Sequence, residues 1–393
     1  MTEPTTSDAA AAPGRGPSVR ILHTGDWQLG MTRHFLDADA QARFTGARID
    51  SIRRMGEVAR REGCAAIVVA GDVFETNQVS RRIVVRALEA MSDAGVPVLL
   101  LPGNHDPLDP TSVYRSPTFI TNRPDNVVVL DGVAAHPLAP GVEVIAAPWR
   151  SKRPVSDLCA DAVADLVADG TVRILVGHGA VDTIAREGHD PARIAVASLV
   201  AALDDGRIHY VALGDRHSLT VVEPGGRIAY AGAPEPTAFD EVEPGKALVV
   251  DVSSAGVTAT PVDVGTWRFV TVEAQLDDAA DLDDLLTTLD ALDAKDTSIV
   301  RLGLRGSVAL DVDARLEDAI AERREVFAAI EEWATGTDLV RLPDIADLDG
   351  LDLRGASRAA AAQLTAALGD GGPDAQQALD ALALLHRLAR PAA

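Results

Sequence analysis

The sequence predicts an α/β fold, followed by a smaller α/β module and a helical C-terminal tail. Three observations lead to this prediction. Short apolar runs alternate with amphipathic segments from residue 19 to about residue 262. The runs are rich in Val, Ile and Leu, which is typical of strands buried on both faces of a parallel sheet. The segments between the first three runs have the apolar spacing of helices, so strands and helices alternate.

Six apolar runs are the predicted strands of the first domain: Val19 to Thr24, Ala65 to Ala70, Val96 to Leu101, Val142 to Pro148, residues 172 to 176 and His209 to Leu213. Helices are predicted between the first three strands, at Ala40 to Glu62 and at Ser80 to Ala94. A glycine follows each helix, where a C-cap is expected. From the segment around Tyr230 onward, strands at residues 226–232, 246–253 and 256–264 are predicted to close the sheet system with antiparallel pairing.

A new module is predicted to start at Trp267. It reads as a strand at residues 268–274, a helix from Asp277 to Leu292, a strand at residues 298–306 and a helix from Val312 to Trp333. Polar turns and two Ala/Leu-rich helices follow, at Ser357 to Leu368 and Ala375 to Leu388. The last helix carries an apolar stripe at i, i+3, i+4 spacing, which either packs on its own module or docks a partner protein.

These patterns predict four segments along the chain. A disordered tail covers residues 1–17, the main domain 18–264, a small α/β capping module 265–340, and the helical tail 341–393. The hydrophobic content of 47% is enough for a real core and excludes a mostly disordered protein.

The charge is strongly acidic and unevenly spread. The chain has 36 Lys and Arg against 59 Asp and Glu, a net charge of −23. Residues 1–160 are nearly neutral, with 17 basic and 18 acidic side chains, whereas residues 161–393 carry a net charge of −22. A general basic coat for nucleic acid is therefore excluded. Any polyanion must be met by the first half of the chain or by metal ions.

The cellular setting is predicted from what the sequence lacks. Two cysteines, Cys64 and Cys159, cannot form a disulfide framework or a Cys-rich zinc site, which favours a reducing compartment. The first 17 residues have no apolar stretch of signal-peptide type, and no run approaches the ~18 apolar residues that span a bilayer. We therefore predict a cytoplasmic protein with no membrane partner.

Five predicted strands are each followed by a glycine and then by metal-ligand residues. The five motifs are Gly25-Asp26-Trp27-Gln28, Gly71-Asp72, Gly103-Asn104-His105-Asp106, Gly177-His178 and Gly214-Asp215-Arg216-His217. The carboxyl ends of parallel strands share one edge of an α/β sheet, and binding sites form there. Asp, Asn and His supply oxygen and imidazole donors. A single Gly-Asp is usually only a turn, but five such motifs in order predict a metal site.

The order of these motifs resembles the calcineurin-like metallophosphoesterase family over roughly residues 19–240. Within that family the sequence is most similar to the SbcD-type subunit of DNA double-strand-break repair nucleases. The stretches that carry this likeness are ILHTGDWQLG, IVVAGDVFE, LLLPGNHDP and YAGAPEPTAFDE. The resemblance implies a four-layer α/β/β/α sandwich with a small capping domain. It also implies a phosphodiesterase that uses two metal ions, usually manganese, cuts DNA and works with an SMC-like, coiled-coil ATPase.

The resemblance further implies a role for each motif residue. One metal ion would be held by Asp26, Gln28, Asp72 and His217, and the other by Asp72, Asn104, His178 and Asp215. His105 would be the general acid or would stabilise the transition state, and Asp106 would orient it. Two divalent ions can activate a water and stabilise the charge that develops in an in-line phosphoryl displacement, and a protonated imidazole can serve the leaving oxygen.

Gln28 and Asp215 depart from the family pattern, which has histidine at both positions. Both changes replace an imidazole with an oxygen donor. Three carboxylates then face two divalent ions, leaving a formal charge of +1 instead of +2, which should raise the pKa of a bound water. Oxygen ligands favour manganese or magnesium over zinc. A site that still fills, with harder ions, is our hypothesis, and a degenerate scaffold-like relative is the alternative.

Three further residues are candidates for substrate binding. Trp27 could stack on a base, with a core position as the alternative. Arg33 and Arg216 are candidates for phosphate contacts, as are several other basic residues of the first half, namely Arg81, Arg82, Arg115, Arg150, Lys152 and Arg153. Each of these charges could instead be a solvated surface residue.

The predicted function is metal-dependent phosphodiester hydrolysis on DNA, as a repair exonuclease or endonuclease that could act as a homodimer. A phosphodiesterase or phosphatase acting on small nucleotides or phosphoproteins would have the same metal site and remains the first alternative. The second is a partner of an ATPase that binds DNA ends without cutting them. The acidic second half fits contact with a basic protein better than contact with DNA.

Overall fold

The computed structural model describes residues 16–184, 190–342 and 353–369, together with residues 377–378, 380–382 and 384–385. The chain divides into two compact units. The first contains the residues up to Thr32 and Thr45–Thr266, and the second contains Arg33–Phe44 and the residues from Trp267 onward. The predicted N-terminal tail lies, up to residue 15, outside the described residues, and so do residues 343–352 of the predicted C-terminal tail.

The described residues of the first unit form twelve strands, which are β1 (Ser18–Thr24), β2 (Ile67–Val69), β3 (Val98–Leu100), β4 (Val127–Val129), β5 (His136–Ala139), β6 (Val142–Ala146), β7 (Val172–His178), β8 (Tyr210–Gly214), β9 (Thr220–Val221), β10 (Ile228–Tyr230), β11 (Lys246–Ser253) and β12 (Gly256–Asp263). Its helices are α1 (Ala38–Arg61), which enters this unit at Thr45, α2 (Arg81–Asp93), α3 (Pro117–Asn122), α4 (Leu158–Val163) and α5 (Val196–Asp204), with a 3₁₀ turn at Val113–Arg115. Ser80 caps α2 and Asp157 caps α4.

The strands form two six-stranded sheets. The first has the order β12-β11-β1-β2-β3-β4, with β1 to β4 parallel and β11 antiparallel to both β1 and β12. The second has the order β5-β6-β7-β8-β10-β9, with β6, β7, β8 and β10 parallel. The first sheet is therefore antiparallel only at its β12-β11 side, whereas the second is antiparallel at both edges, and in each the parallel strands end on one edge.

Three apolar cores separate four layers. Alternate residues of one strand point to opposite faces of its sheet, so Leu22 packs with α1 and α2 whereas Ile21 packs between the two sheets. On the second sheet, Ile174 faces the first sheet and Leu175 packs with α4 and α5. The layers are helix, sheet, sheet and helix. This confirms the α/β/β/α sandwich that the resemblance implies.

The prediction of antiparallel closure after Tyr230 is correct for β11 and β12 but wrong for β10. Strand β10 runs parallel to β8, which it neighbours. The reason lies in the short strand β9, which pairs antiparallel with β10 at the edge of the second sheet. The chain passes along the edge first and then turns back into the sheet beside β8, so β10 has the direction of the parallel strands.

The second unit has a parallel sheet of four strands, which are β13 (Arg268–Leu276), β14 (Ser298–Ala309), β15 (Ala329–Glu332) and β16 (Asp338–Leu342). The long strand β14 pairs with β15 along its first half and with β16 along its second. Helices α6 (Ala279–Asp290) and α7 (Leu310–Arg324) cover this sheet with an apolar core. The segment Arg33–Phe44 belongs to this unit, where Phe44 packs edge-on against Trp267 at 5.0 Å between ring centres.

The helix predicted from Val312 to Trp333 is wrong in its second half. Helix α7 ends at Arg324, and residues 329–332 form β15. Ala and Glu in this stretch favour a helix locally, but pairing with β14 and burial of Ile330 decide its structure. A local propensity is a weak preference that tertiary pairing overrides.

The C-terminal tail contributes α8 (Ala356–Gly369) in the described region, as predicted for Ser357 to Leu368. The second predicted tail helix, Ala375 to Leu388, lies only partly within the described residues, and its described part is helical. Ala378 and Leu382 are buried there, and Leu382 packs in one cluster with Leu310 and Ala361. This part of the apolar stripe therefore packs on its own unit.

Candidate metal centre

The candidate site lies where strands of both sheets of the first unit end. Strands β1, β2 and β3 of the first sheet lead into Asp26, Asp72 and Asn104, while β7 and β8 of the second lead into His178 and Asp215. Donor atoms of Asp26, Asp72 and His178 all lie within 4.8 Å of one another, and all three side chains are buried. The tertiary structure thus brings together residues that lie far apart in the sequence.

Four of the predicted ligands have a left-handed backbone. The φ angles are 52° for Asp26, 48° for Gln28, 52° for Asp72 and 98° for Asp215. These are four of the six non-glycine residues with positive φ in the part of the chain that the structure describes. Such a conformation costs about 1–3 kcal/mol per residue and persists only where the surroundings hold it. Here backbone bonds hold it, from Asp26 N to the Gly71 carbonyl and from Gln28 N to the Asp72 carbonyl, each 3.0 Å.

Asp72 occupies the centre of the cluster. Its carboxylate accepts 3.0 Å hydrogen bonds from Gln28 Nε2 and from the backbone N–H of His105. The Nε2 of His178 lies 3.4 Å from the same carboxylate. A Cβ on Gly103 would lie 2.2 Å from Asp72 Oδ1, so only glycine lets the turn after β3 approach this closely.

The His178 ring is held so that Nε2 faces the carboxylates. Its Nδ1 donates to the Ala70 carbonyl at 2.9 Å, while Nε2 lies 2.7 Å from the side-chain amide of Asn104 and 3.8 Å from Asp215 Oδ1. Burial lowers the pKa of His178, but the surrounding carboxylates, Asp72 first, outweigh it and raise the pKa to about 9. Nδ1 carries a proton that it donates to Ala70, so Nε2 is the nitrogen that the carboxylates favour for a second proton. The same nitrogen would bind a cation.

His217 is oriented in the same way by residues that the sequence-based prediction missed. Its Nδ1 lies 2.6 Å from Thr237 Oγ1 and 3.2 Å from Glu241 Oε1, and its Nε2 lies 4.0 Å from Asp26 Oδ1. Thr237 and Glu241 belong to the YAGAPEPTAFDE stretch that carried the resemblance. Asp26 is fully buried, accepts from the backbone N–H of Asp215, and has its pKa raised to about 6 chiefly by burial.

Gln28 provides the test of whether a cation fits. The side chain is 1% exposed, and its Nε2 donates to Asp72. The Oε1 of the same amide is buried and has no hydrogen-bond partner among the described residues. An unsatisfied buried acceptor costs about 1–3 kcal/mol. An oxygen of this kind beside buried carboxylates and two imidazoles that face inward is a donor set that fits divalent cations.

His105 lies at the accessible side of this cluster, with 41% of its side chain exposed. Its Nδ1 is bonded to the Glu75 carbonyl at 3.0 Å, and its Nε2 lies 3.9 Å from Asp72 Oδ2. The role of Asp106 in orienting His105 stays a prediction, and no hydrogen bond joins Asp106 to this ring among the described residues. Asp106 is fully buried and accepts instead from the backbone N–H groups of Gly103 and Phe74 and from the hydroxyl of Tyr114. It positions the loop that carries His105.

The three predicted substrate-binding residues lie in different settings. Trp27 is fully buried and its Nε1 donates to Thr24 Oγ1, so the prediction that it stacks on a base is wrong and the core alternative is correct. Arg216 is exposed, and its Nε donates to Thr220 Oγ1 at 2.8 Å. Arg33 belongs to the second unit.

Trp149 lies beside the predicted metal ligands, and the sequence-based prediction missed it. Its Nε1 donates to the His178 carbonyl at 2.7 Å, and its ring stands edge-on to the imidazole at 6.2 Å between ring centres. Its backbone N donates to Pro102 and its carbonyl accepts from Leu108, one on each side of the turn that carries Asn104. Trp149 therefore links two of the predicted ligands. The available signal was its position directly after a buried strand.

The fold and the site together define a hydrolase of the phosphoesterase class. The calcineurin-like phosphoesterase family model matches residues 19–219, which is more than half of the chain and includes every predicted metal ligand. The chain belongs to this family, whose members use dimetal centres. The identification made from the strand-end motifs is confirmed.

The curated relatives are more specific. The chain is 26% identical over 284 residues to the SbcD component of the nuclease SbcCD of Bacillus subtilis, covering 64% of this chain and 69% of that protein. The corresponding Escherichia coli protein is 26% identical, covering 57% and 62%. The DNA double-strand break repair protein Mre11 of Haloferax volcanii is 24% identical, covering 80% and 67%. Among solved structures, a dimetal phosphatase from Danio rerio is 12% identical, covering 61% and 98%, with a TM-score of 0.38. The chain thus spans between 62% and 69% of the length of these three curated relatives.

Within the described residues, no helix has the length and apolar character needed to cross a membrane.

Proposed function

We propose that this chain is a nuclease that hydrolyses phosphodiester bonds in DNA during double-strand break repair, as an exonuclease or endonuclease subunit. The observation that carries the proposal is the position of His105. A half-exposed imidazole, tied at Nδ1 to the Glu75 carbonyl, stands over the central carboxylate of a buried ligand cluster. The similarity to a subunit of the nuclease SbcCD and to the DNA double-strand break repair protein Mre11 supports DNA as the substrate.

In the proposed ligand assignment, Asp72 is shared by two metal ions. One divalent cation would be held by Asp26, Gln28, Asp72 and His217, and the other by Asp72, Asn104, His178 and Asp215. When bound, the two cations supply Lewis-acid activation of a water and of the phosphodiester. Manganese is the ion that the resemblance implies, with magnesium as the alternative.

His105 would act as the general acid. Its Nδ1 is bonded to a carbonyl and carries a proton there, so the second proton of the imidazolium sits on Nε2, toward the cluster. That proton passes to the oxygen that leaves phosphorus as the P–O bond breaks. Asp106 holds the loop that carries His105 to the loop after β2, so it acts as a positioning residue.

A basic strip supports a polymeric substrate over a small one. Arg150, Lys152 and Arg153 are all exposed and follow Trp149, whose indole is bonded to the His178 carbonyl. In a chain of net charge −23, we propose that this strip of positive charge faces the phosphates of the substrate. Phosphates on either side of the scissile bond would contact it. We propose the same kind of contact for Arg216 and Arg33.

The test is hydrolysis of linear double-stranded and single-stranded DNA with manganese, beside bis-p-nitrophenyl phosphate as a small phosphodiester. We expect DNA cleavage that chelator abolishes and that His105→Ala lowers by about 10²–10⁴-fold, the range for loss of a general acid. The control is His136→Ala, on the edge strand β5, which should cleave like the wild type. Neutralising Arg150, Lys152 and Arg153 together should raise KM for DNA and leave the small diester unaffected.

Three results would contradict the proposal. Hydrolysis of the small diester without cleavage of DNA would favour the nucleotide phosphodiesterase alternative. Bound metal with no hydrolysis of either substrate, alone or with a coiled-coil ATPase, would favour the non-catalytic DNA-end-binding alternative. Full activity of His105→Ala would remove the general-acid role. We propose an SMC-like ATPase and a second copy of the chain as further partners, which co-purification and sedimentation would test.

A further inference from the structure

The donor set of this site is unusually rich in oxygen. Five of its seven predicted ligand side chains offer an oxygen, and only His178 and His217 offer an imidazole nitrogen. We infer that Gln28 and Asp215 make this a centre for hard cations, so that it binds magnesium as well as manganese and prefers zinc less than the same site with histidine at these two positions would. This inference rests on the proposed two-metal site and specifies which ions it accepts.

Gln28 is the first of the two residues that carry the inference. Its Nε2 donates to Asp72 Oδ2, and this bond turns the amide so that Oε1 is the atom left over. The Oε1 is buried and unpartnered among the described residues, in a side chain that is 99% buried. A carboxylate here would repel Asp72, and an imidazole would offer nitrogen. The amide instead supplies a neutral oxygen donor and also satisfies the shared carboxylate.

Asp215 is the second residue. Its backbone N–H donates to both carboxylate oxygens of Asp26 at 3.0 and 3.1 Å, which anchors the residue in its left-handed conformation. Its Oδ1 lies 3.8 Å from His178 Nε2. The carboxylate therefore faces the same space as the imidazole. One proposed position thus has the donors Asp26, Gln28, Asp72 and His217, and the other has Asp72, Asn104, His178 and Asp215.

The ligand chemistry of the two positions is alike, with one nitrogen donor and three oxygen donors each. Imidazole and thiolate donors suit zinc, whereas carboxylate and carbonyl donors suit magnesium and manganese. Three carboxylates around two divalent ions also add an electrostatic attraction that does not depend on the softness of the ion. Replacing either oxygen donor with imidazole should therefore shift the preference toward zinc and weaken magnesium binding.

The experiment measures binding, independently of hydrolysis. The full-length chain is stripped of metal, and its melting temperature is recorded with magnesium and with manganese at constant ionic strength. The dissociation constants for manganese and zinc are then obtained by competition dialysis against chelator-buffered ions with elemental analysis. The variants are Gln28→His, Asp215→His and the double substitution. The matched control places the same changes on an exposed strand end of the second unit, as Gln275→His with Asp277→His.

We expect magnesium to raise the melting temperature of the wild type, and Asp72→Asn to abolish that shift. Each histidine variant should raise the ratio of the manganese to the zinc dissociation constant by about tenfold or more, and the double variant should lose the magnesium response. The matched control should behave as the wild type.

Two outcomes would overturn the inference. One is a wild type whose melting temperature does not respond to magnesium, a result that needs no variant to fold. The other is a double variant whose manganese-to-zinc ratio equals that of the matched control. The proposed nuclease function fails on a different result: normal magnesium and manganese binding without cleavage of DNA refutes the function and leaves the ion preference in place.

Discussion

Replacing Gly71 with alanine should destabilise the first unit by displacing a predicted metal ligand. Gly71 lies between β2 and Asp72 with φ of 95°. A Cβ at this position would lie 2.1 Å from His178 Nδ1, far inside ordinary contact distance. The imidazole would have to move by more than about 1 Å. That movement would break its 2.9 Å hydrogen bond to the Ala70 carbonyl and change the distance from Nε2 to Asp72.

Two costs add up in this variant. A left-handed backbone costs an alanine roughly 1–2 kcal/mol relative to glycine. Loss of the bond between His178 and Ala70 leaves buried polar groups unsatisfied, at about 1–3 kcal/mol. The free energy of unfolding should therefore fall by about 2–5 kcal/mol. Metal affinity should fall as well, because the displaced ring no longer faces Asp72.

Gly170→Ala is the matched control, since Gly170 has φ of 87° and no described heavy atom lies within 4 Å of the added Cβ. This variant should lower the free energy of unfolding only by the cost of a left-handed alanine, and its metal affinity should be unchanged. The assay is urea denaturation of both metal-free variants, followed by calorimetric titration with manganese. If Gly71→Ala is no less stable than Gly170→Ala, or binds manganese as tightly, the close packing of Gly71 on His178 does not hold the site together.

Two further predictions concern other residues of the first unit. His23 is fully buried between Tyr210 and a backbone carbonyl, and burial lowers its pKa to about 3. As the pH falls, His23 is protonated in the unfolded chain before it is protonated in the folded one, so the free energy of unfolding falls below about pH 6.5, by about 2 kcal/mol at pH 5. Between pH 7 and pH 5, urea titrations should show a smaller loss of stability for His23→Gln than for the wild type. An equal loss would contradict this assignment. Trp149→Phe keeps an aromatic ring but removes the 2.7 Å bond to the His178 carbonyl, so it should weaken manganese binding severalfold with a stability loss of about 1–3 kcal/mol. Trp333→Phe, in the second unit, is its control in the same calorimetric titration, and equal affinities of the two variants would refute the positioning role of Trp149.

The predicted strand–helix order held wherever a segment had a clear apolar period. Helix α1 covers Ala38–Arg61 where Ala40 to Glu62 was predicted, and α2 covers Arg81–Asp93 where Ser80 to Ala94 was predicted. The residues from Ala329 to Glu332 show why other segments failed. Their composition favours a helix, and only pairing with β14 makes them a strand. Strand β10 failed for the same reason, because its direction depends on the neighbour it meets.

The choice between similar residues also required the tertiary structure. Trp27 lies between two predicted ligands in the sequence, yet its ring is buried in the core beneath the first sheet. Trp149 lies 29 residues from His178 and is bonded to its carbonyl. Asp106 follows His105 directly but is bonded to Gly103, Phe74 and Tyr114 instead. Adjacency in the sequence does not predict which way a side chain turns at a tight loop.

The sequence by itself determined which donors converge. Each motif follows a strand, parallel strands end on one edge, and the glycine before each ligand permits the turn, so the convergence of Asp26 and Asp72, on neighbouring strands of one sheet, follows from local patterns. His178 follows a strand of the second sheet, and only the packing of the two sheets brings it to these carboxylates. Only the tertiary structure decided how the donors are held and oriented. The bond that fixes His178 joins it to a carbonyl 108 residues away, and the bond that anchors Asp215 spans 189 residues. The lone pair of a ligand such as His178 points in a direction that is fixed by the hydrogen bond of the other ring nitrogen. The partners of such hydrogen bonds come together only when the two sheets pack.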